Sequence, residues 1–183
     1  MQTARGRRVL LRDFEEGDRE PYLRWMSGDG RWKRMDAPWL STPWSEGERR
    51  KAERVFNSYL VQGRRRAIIV DRTDGAPVGW VACHVDNTNP DACEATITIC
   101  EDDRQGVGLG SEALALWVDH LFESRFHRVA LRTYSLNTFM RRTAEKLGFK
   151  LEGVEREIHQ WDEVWVDRLT FGVLAEDWKM PKL

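Results

Sequence analysis

Apolar and polar residues alternate along several stretches of the chain, and this period of two predicts β-strands. The first stretch opens the chain at residues 7–14. Six more follow, most of them bounded by turns that contain Gly, Asp or Asn. They cover residues 67–71, 78–85, 94–100, 128–133, 151–160 and 164–174. The pattern therefore predicts a protein with about seven strands.

Other stretches repeat their apolar residues at helical spacing, which predicts four helices. These helices cover residues 17–26, 45–61, 108–122 and 137–147. Ser45, with Glu48 three residues later, is a typical N-cap, and Gly148 supplies the left-handed residue that often ends a helix. Residues 27–44 have no sustained period but contain prolines and tryptophans, so they are predicted to form an aromatic-rich loop.

The order of these elements predicts a single α/β domain that spans residues 1–183. Hairpins alternate with β-helix-β crossovers, which favours a central mixed, mostly antiparallel sheet with helices on both faces. A chain of 183 residues with 41% hydrophobic content can bury one sizeable core.

Composition narrows the classes of function. The chain has 29 Lys and Arg against 30 Asp and Glu, a balance that argues against binding to nucleic acid or to a membrane surface. No stretch is long and apolar enough to span a membrane, and the start lacks a signal-peptide core, so we expect a cytoplasmic protein. Three cysteines without C-x-x-C spacing indicate reduced thiols and no metal site.

The strongest chemical signal is a glycine-rich turn between the fourth predicted strand and the helix 108–122. Glycines let backbone N–H groups converge on an anion, and the helix N-terminus adds further donors, so the turn suits a pyrophosphate. The residues of this turn are Gln105, Gly106, Val107, Gly108, Leu109, Gly110 and Ser111. A P-loop would need Gly-Lys-Ser/Thr, and a dinucleotide-binding turn would need glycine in place of Ser111. A turn that only tightens the joint remains the alternative.

Residues 105–110, QGVGLG, fit the pattern Q/R-x-x-G-x-G/A, and the last predicted helix ends in Leu147-Gly148-Phe149. In these and other segments the sequence resembles the GNAT acetyltransferase superfamily, and within it the RimJ/RimL-like branch. The resemblance implies a sheet that is splayed between strands 4 and 5, where the pantetheine arm of acetyl-coenzyme A inserts. It also implies transfer of an acetyl group to a primary amine, which could belong to a protein N-terminus, a polyamine or another small molecule. Homodimer formation is compatible with this resemblance.

The same resemblance implies which residues contact the cofactor. The amides of the turn would hold the pyrophosphate, with Ile99 and Cys100 at the end of the fourth strand. Asn137 would contact the pantetheine arm. Arg142 would meet the phosphates, although a solvated helix face is an equally good interpretation of that residue.

Amine acetylation needs a base, because an amine at neutral pH is mostly protonated. Glu94 is the best candidate, since strand alternation places it on one face with Thr96 and Thr98. Relatives in the RimJ/RimL-like branch often use a Glu on this strand. A solvated strand-end carboxylate is the alternative interpretation of Glu94, and Asp86 is the reserve candidate.

The group that protonates the leaving thiolate is where this sequence departs from the family. Ala144 and Met140 stand where relatives carry Tyr or Ser. Asn137 remains as a second catalytic candidate, because it could bind a water that protonates the thiolate. The departure leaves a second function open, a non-catalytic sensor that binds acyl-coenzyme A.

In the family, the loop between the first two helices and the final hairpin cover the acceptor pocket. Here the loop contributes Trp32, Asp36 and Trp39. A carboxylate beside Trp faces suits a cationic amine, by charge pairing and cation-π contact. Packing of the tryptophans in the core is the alternative.

Overall fold

A computed structural model describes residues 4–40, 42–61, 65–86 and 88–181, with Asp86 described by its backbone only. The side chain of Asp86, the reserve carboxylate, therefore lies outside the described part. Eight strands, β1 to β8, span Ala4–Arg5, Val9–Arg12, Arg66–Asp71, Pro77–Asp86, Asn89–Ile99, Arg128–Tyr134, Lys150–Trp161 and Val164–Leu174. Five α-helices, α1 to α5, span Arg19–Ser27, Arg31–Met35, Glu46–Val61, Leu109–Glu123 and Thr138–Lys146.

The strands form one mixed sheet in the order β1-β2-β3-β4-β5-β6-β8-β7. Every neighbouring pair is antiparallel except β5 and β6, which confirms the predicted mostly antiparallel sheet. The sheet has one strand more than the seven predicted, and this additional strand is the two-residue β1.

The parallel ladder between β5 and β6 is short. It joins three residue pairs, from Ala92 with Arg128 to Glu94 with Ala130. The later residues of both strands continue past this ladder to Ile99 and Tyr134. This divergence is the splay predicted between the fourth and fifth strands of the sequence pattern, and it opens toward the carboxyl ends of both strands.

Helices cover both faces of the sheet. Helix α4 packs on one face, where Trp117 is fully buried and donates its indole N–H to the carbonyl of Ala82 at 3.0 Å. Helices α1 and α3 cover the other face, where Tyr22 and Phe56 pack together. Burying each such side chain contributes about 1.5–3 kcal/mol, so the two clusters fix the sheet between the helices. The three cysteines are buried and free.

The predicted ends of two helices are confirmed by their caps. The hydroxyl of Ser45 accepts the N–H of Glu48 at 3.2 Å before α3. Gly148 ends α5 with a φ of 83°. Helix α2 lies inside the segment predicted as a loop, and its five residues are too few to produce a visible period. None of the described helices combines the length and apolar character needed to cross a membrane.

Candidate functional site

The glycine turn follows β5 and leads directly into α4. Gly106 and Gly108 have φ angles of 76° and 95°, in the left-handed region that a Cβ atom disfavours. Gly108 is the N-cap of α4, so the next residues carry the first N–H groups of the helix, which have no acceptor within it. The turn therefore gathers backbone donors at the positive end of a helix, an arrangement that suits an anion.

Two residues anchor this turn on the sheet. The side chain of Leu109 is fully buried in the cluster beneath α4. A Cβ atom on Gly110 would lie 3.4 Å from Cγ1 of Ile99, so the glycine lets α4 start close to β5. Val107, between the two left-handed glycines, is exposed. The donors of the turn are thus held on a rigid base and reach the surface.

Arg8 also contacts this turn, although no local sequence signal indicates it. Its guanidinium donates to the carbonyl of Val107 at 2.6 Å, and its backbone N–H donates to Glu112 at 2.8 Å. A Cβ atom on Gly108 would lie 3.8 Å from Nη1 of Arg8. The contact joins residues 99 positions apart in the chain and places a positive charge beside the turn.

Helix α5 flanks the other side of the turn. A Cβ atom on Gly106 would lie 3.2 Å from the ring of Phe139, and the hydroxyls of Ser111 and Thr143 are 3.3 Å apart. Arg142 is exposed and lies one helical turn after Phe139. Arg142 is thus an exposed cation on the helix that flanks the turn.

Two of the predicted cofactor residues, Ile99 and Cys100, lie at the end of β5. The carbonyl of Ile99 accepts the side-chain amide of Gln105 at 2.9 Å. Cys100 is buried in the cluster beneath α1 and α3, and its N–H donates to Val78 at 2.8 Å. Burial also raises the pKa of the Cys100 thiol well above its usual value. The contribution that Cys100 can make to a ligand is therefore its carbonyl, and Gln105 braces the turn.

The start of α2 is bound to the same turn. The guanidinium of Arg31 donates to the side chain of Gln105 at 2.7 Å and to the carbonyl of Asp102 at 3.0 Å. The N–H of Arg31 donates to the carboxylate of Asp102 at 2.8 Å. These bonds fix the segment predicted to cover the acceptor directly onto the glycine turn.

The three predicted acceptor residues lie in two different places. Trp39 contacts Tyr134 and His159, with ring centroids 4.8 and 4.1 Å apart, so it bridges to β6 and to the final hairpin. Trp32 instead stacks edge-on against Trp80. With Asp36, Trp32 lines a cavity of about 280 Å³ between α1, α2 and α3. Asp36 reaches solvent there, but the surrounding protein desolvates its carboxyl group and raises its pKa.

Glu94 lies at the last pair of the parallel ladder, where β5 and β6 part. Ala95 packs beneath α4, so Glu94 points to the opposite face, as the alternation predicted. We call this the Glu94 face. The carboxylate of Glu94 pairs with the guanidinium of Arg132 at 3.2 Å. The side chain of Glu94 is 27% exposed and that of Arg132 is 58% exposed. A carboxylate at the narrow end of the splay is therefore within reach of a ligand.

Neither side chain at the two positions where relatives carry a proton donor can donate a proton. Ala144 is fully buried, and Met140 packs against the core beneath α4. Asn137 uses its side-chain oxygen to cap α5, accepting the N–H of Met140 at 3.0 Å, which leaves its amide N–H groups to donate. The hydroxyl of Ser135 accepts the N–H of Asp167 at 3.0 Å, while Tyr134 lies on the Glu94 face beside Trp39.

Comparison with known families gives a match over most of the chain. The family model of the acetyltransferase (GNAT) domain matches residues 8–150. A probable N-acetyltransferase, YjcK of Bacillus subtilis, is 34% identical over 73 residues, which cover 39% of this chain and 40% of that protein. The aligned part is thus less than half of that relative.

Solved structures match the fold over nearly the whole chain. A GNAT-family acetyltransferase from Bacillus anthracis has a TM-score of 0.77 and 22% identity, covering 96% of this chain and 99% of its own. Spermidine N-acetyltransferase from Vibrio cholerae, in complex with CoA and spermine, has a TM-score of 0.75 and 19% identity, covering 93% and 97%. Mycobacterium smegmatis RimJ, in complex with CoA-disulfide, has a TM-score of 0.71 and 22% identity, covering 92% and 82%.

Proposed function

Since the chain belongs to the GNAT acetyltransferase family, we propose that it transfers an acetyl group from acetyl-coenzyme A to a primary amine. One spatial arrangement carries this proposal. The glycine turn follows β5 and lies at the wide end of the splay between β5 and β6. Glu94 lies on β5 at the narrow end of the same splay. An anion-binding site and a carboxylate thus stand at the two ends of one open cleft.

The residues of the turn fit the pyrophosphate of coenzyme A. The left-handed Gly106 and Gly108 leave this surface without side chains, so phosphate oxygens can approach the backbone donors. Arg142 and Arg8 flank the turn and supply positive charge for the phosphates. The diverging edges of β5 and β6 offer backbone groups to the pantetheine amides. Bound there, acetyl-coenzyme A supplies an acetyl group activated as a thioester.

Glu94 accepts a proton from the acceptor ammonium, which frees the nitrogen lone pair. The amine nitrogen then forms a bond to the thioester carbonyl carbon, and the C–S bond breaks with its electron pair on sulfur. The second proton leaves the nitrogen, and the thiolate takes up one proton. The reaction thus yields an amide and a thiol and releases one proton. Asn137 caps α5 through its side-chain oxygen, and its amide N–H, or a water bound to it, would stabilise the thiolate.

The acceptor is a primary amine that enters between Trp39 and the Glu94 face. Relatives of the same fold acetylate different amines, since one is named a spermidine acetyltransferase and another a ribosomal-protein-S5-alanine acetyltransferase. Met140 and Ala144, which cannot protonate a thiolate, favour a second function. A chain that binds acyl-coenzyme A but lacks a side-chain acid could act as a sensor of that molecule.

Two measurements test the proposal. Coenzyme A should raise the melting temperature of the protein, because a ligand that binds the folded state stabilises it. Thiol release from acetyl-coenzyme A should then accelerate with at least one member of a panel of polyamines, amino acids and N-terminal peptides. Stabilisation without turnover on any amine supports the sensor. An unchanged melting temperature at millimolar coenzyme A overturns both functions.

A further inference from the structure

The ion pair between Glu94 and Arg132 indicates which class of amine the site accepts. This inference rests on the proposed function. Glu94 stands in the last pair of the ladder between β5 and β6, and Arg132 lies two residues after its ladder partner Ala130, where the cleft opens. Arg132 is 58% exposed, and an ion pair this open to water is weak. A ligand with both charges can therefore replace it by pairing with each partner.

A second basic residue, Arg168, lies on the same face. It is paired with Tyr134 in the ladder between β6 and β8, and its guanidinium binds Glu155. Across the Glu94 face the order is therefore Glu94, Arg132, Arg168 and Glu155, with the two arginines side by side between the two glutamates. This balance of charges does not favour a polycation, because a second ammonium group would approach a guanidinium.

An aromatic wall lies beside these charges, since Tyr134 follows Arg132 by two residues on the same face of β6. Trp39 closes onto Tyr134 and His159 and so covers the Glu94 face from the side of α2. Trp161 continues this wall, with its centroid 6.4 Å from that of Trp39. The wall offers aromatic faces to an apolar side chain beside the ion pair.

We propose that the acceptor is a free α-amino acid with an apolar side chain. Its ammonium group binds the carboxylate of Glu94, which also accepts the proton that must leave before attack. Its carboxylate binds the guanidinium of Arg132 with two parallel hydrogen bonds, the geometry that arginine prefers. The nearest charged atoms of Glu94 and Arg132 are 3.2 Å apart, so both side chains lie within reach of the two neighbouring charges of one α-amino acid. Acetylation removes the positive charge, so the product loses its attraction to Glu94 and is released.

The test compares amino acids with the amines that remain when their carboxylate is removed. Leucine is paired with isoamylamine, phenylalanine with 2-phenylethylamine, and tryptophan with tryptamine. The kcat/KM for acetylation is measured for each pair, and binding is measured by calorimetry in the presence of coenzyme A. In at least one pair the amino acid should be preferred by about tenfold or more, the scale of one charge-assisted interaction.

Arg132→Gln should reduce the ratio of kcat/KM for the amino acid to kcat/KM for its amine to about one. The change should come mainly from a lower kcat/KM for the amino acid. Arg128→Gln is the matched control, because Arg128 lies on the same strand and face and also pairs with a glutamate, Glu152. The control should keep the preference of the parent. The inference is overturned if every amine is as good as its amino acid, or if Arg132→Gln keeps the preference. Absence of coenzyme A binding would instead overturn the proposed function.

Discussion

Arg31 and Gln105 are joined by a hydrogen bond of 2.7 Å, from the guanidinium Nε to the side-chain oxygen of the amide. Arg31 opens α2, the helix in the segment over the acceptor, and Gln105 opens the glycine turn. The other end of that segment carries Trp39, which contacts the final hairpin. The segment therefore links the cofactor turn to the acceptor side of the cleft.

This link predicts that cofactor binding orders the acceptor segment. Coenzyme A should slow amide hydrogen exchange both in the glycine turn and in residues 31–40, since a ligand that fixes the turn also fixes Arg31. Arg31→Ala should keep the protection of the turn and lose that of residues 31–40. Arg34→Ala is the control, because Arg34 lies on the same helix and donates to Asp29 instead. Equal protection in the parent and in Arg31→Ala would contradict the link.

The backbone of Gly108 predicts a specific loss of cofactor affinity. Gly108→Ala should weaken coenzyme A binding about tenfold or more, because a Cβ atom at a φ of 95° strains the turn that presents the donors. Gly75→Ala provides the matched control, since Gly75 also has a positive φ, 76°, but no neighbour within 4 Å of its added Cβ. Both variants should lose similar stability. Calorimetry measures the affinity of each variant for coenzyme A. If Gly108→Ala and Gly75→Ala bind coenzyme A equally well, Gly108 does not belong to the site.

Most of the fold could be predicted from the sequence because its signals are local. Alternation identified the long strands, and the caps at Ser45 and Gly148 fixed helix ends to within a residue or two. Helix α2 was missed because five residues span little more than one turn. The two-residue β1 was missed for the same reason. Such short elements are held by contacts to distant parts of the chain.

The site could be predicted only in part. The glycine turn carries its own signal, and alternation gave the correct face for Glu94. Arg8, Arg31 and Arg132 were missed, since each acts through a partner between 38 and 99 residues away and sits in an ordinary charged stretch. The separation of Asp36 from Trp39 could not be foreseen either, because an aperiodic segment does not reveal where each side chain points.

Glu94→Gln should lower kcat for acetyl transfer at neutral pH by about 10²- to 10⁴-fold, the usual contribution of a general base. The loss should shrink as pH rises, because more of the acceptor amine is then already deprotonated. Coenzyme A affinity should not change. Glu152→Gln is the control, since Glu152 is likewise paired with an arginine but lies away from the splay. A pH profile of kcat parallel to that of the parent would assign Glu94 a structural role.

Asp71 predicts a pH dependence of stability that bears on the cofactor turn. Its buried carboxylate accepts Arg104 at 2.7 Å, which ties the segment before the turn to β3. Burial alone would raise the pKa of Asp71, but hydrogen bonds from Thr73 and Arg104 lower it below the usual value. This pair therefore contributes its stability above the ordinary carboxyl pKa of about 4, and the contribution is lost as pH falls through the lowered value.

Asp71→Asn should accordingly reduce the free energy of unfolding by about 1.5–3 kcal/mol at pH 7, as expected for a hydrogen bond to a charged group. The difference from the parent should narrow below pH 4. Asp74→Asn should cost less, because Asp74 binds the same Arg104 but is 42% exposed. Urea unfolding at pH 7 and pH 3 measures both. A difference that is equal at the two pH values would show that the charge of Asp71 is not the cause.

Trp39 provides the sharpest distinction between recognition of the acceptor and packing. Its ring contacts Tyr134 and His159, so Trp39→Ala removes the wall over the Glu94 face while leaving the glycine turn intact. We expect kcat/KM for the acceptor to fall about tenfold or more, with little change in coenzyme A affinity. Trp165→Ala is the matched control, since Trp165 lies in the final hairpin that Trp39 contacts and is 55% exposed. If Trp39→Ala instead lowers the melting temperature and slows every acceptor equally, the ring serves only to pack the segment against the hairpin.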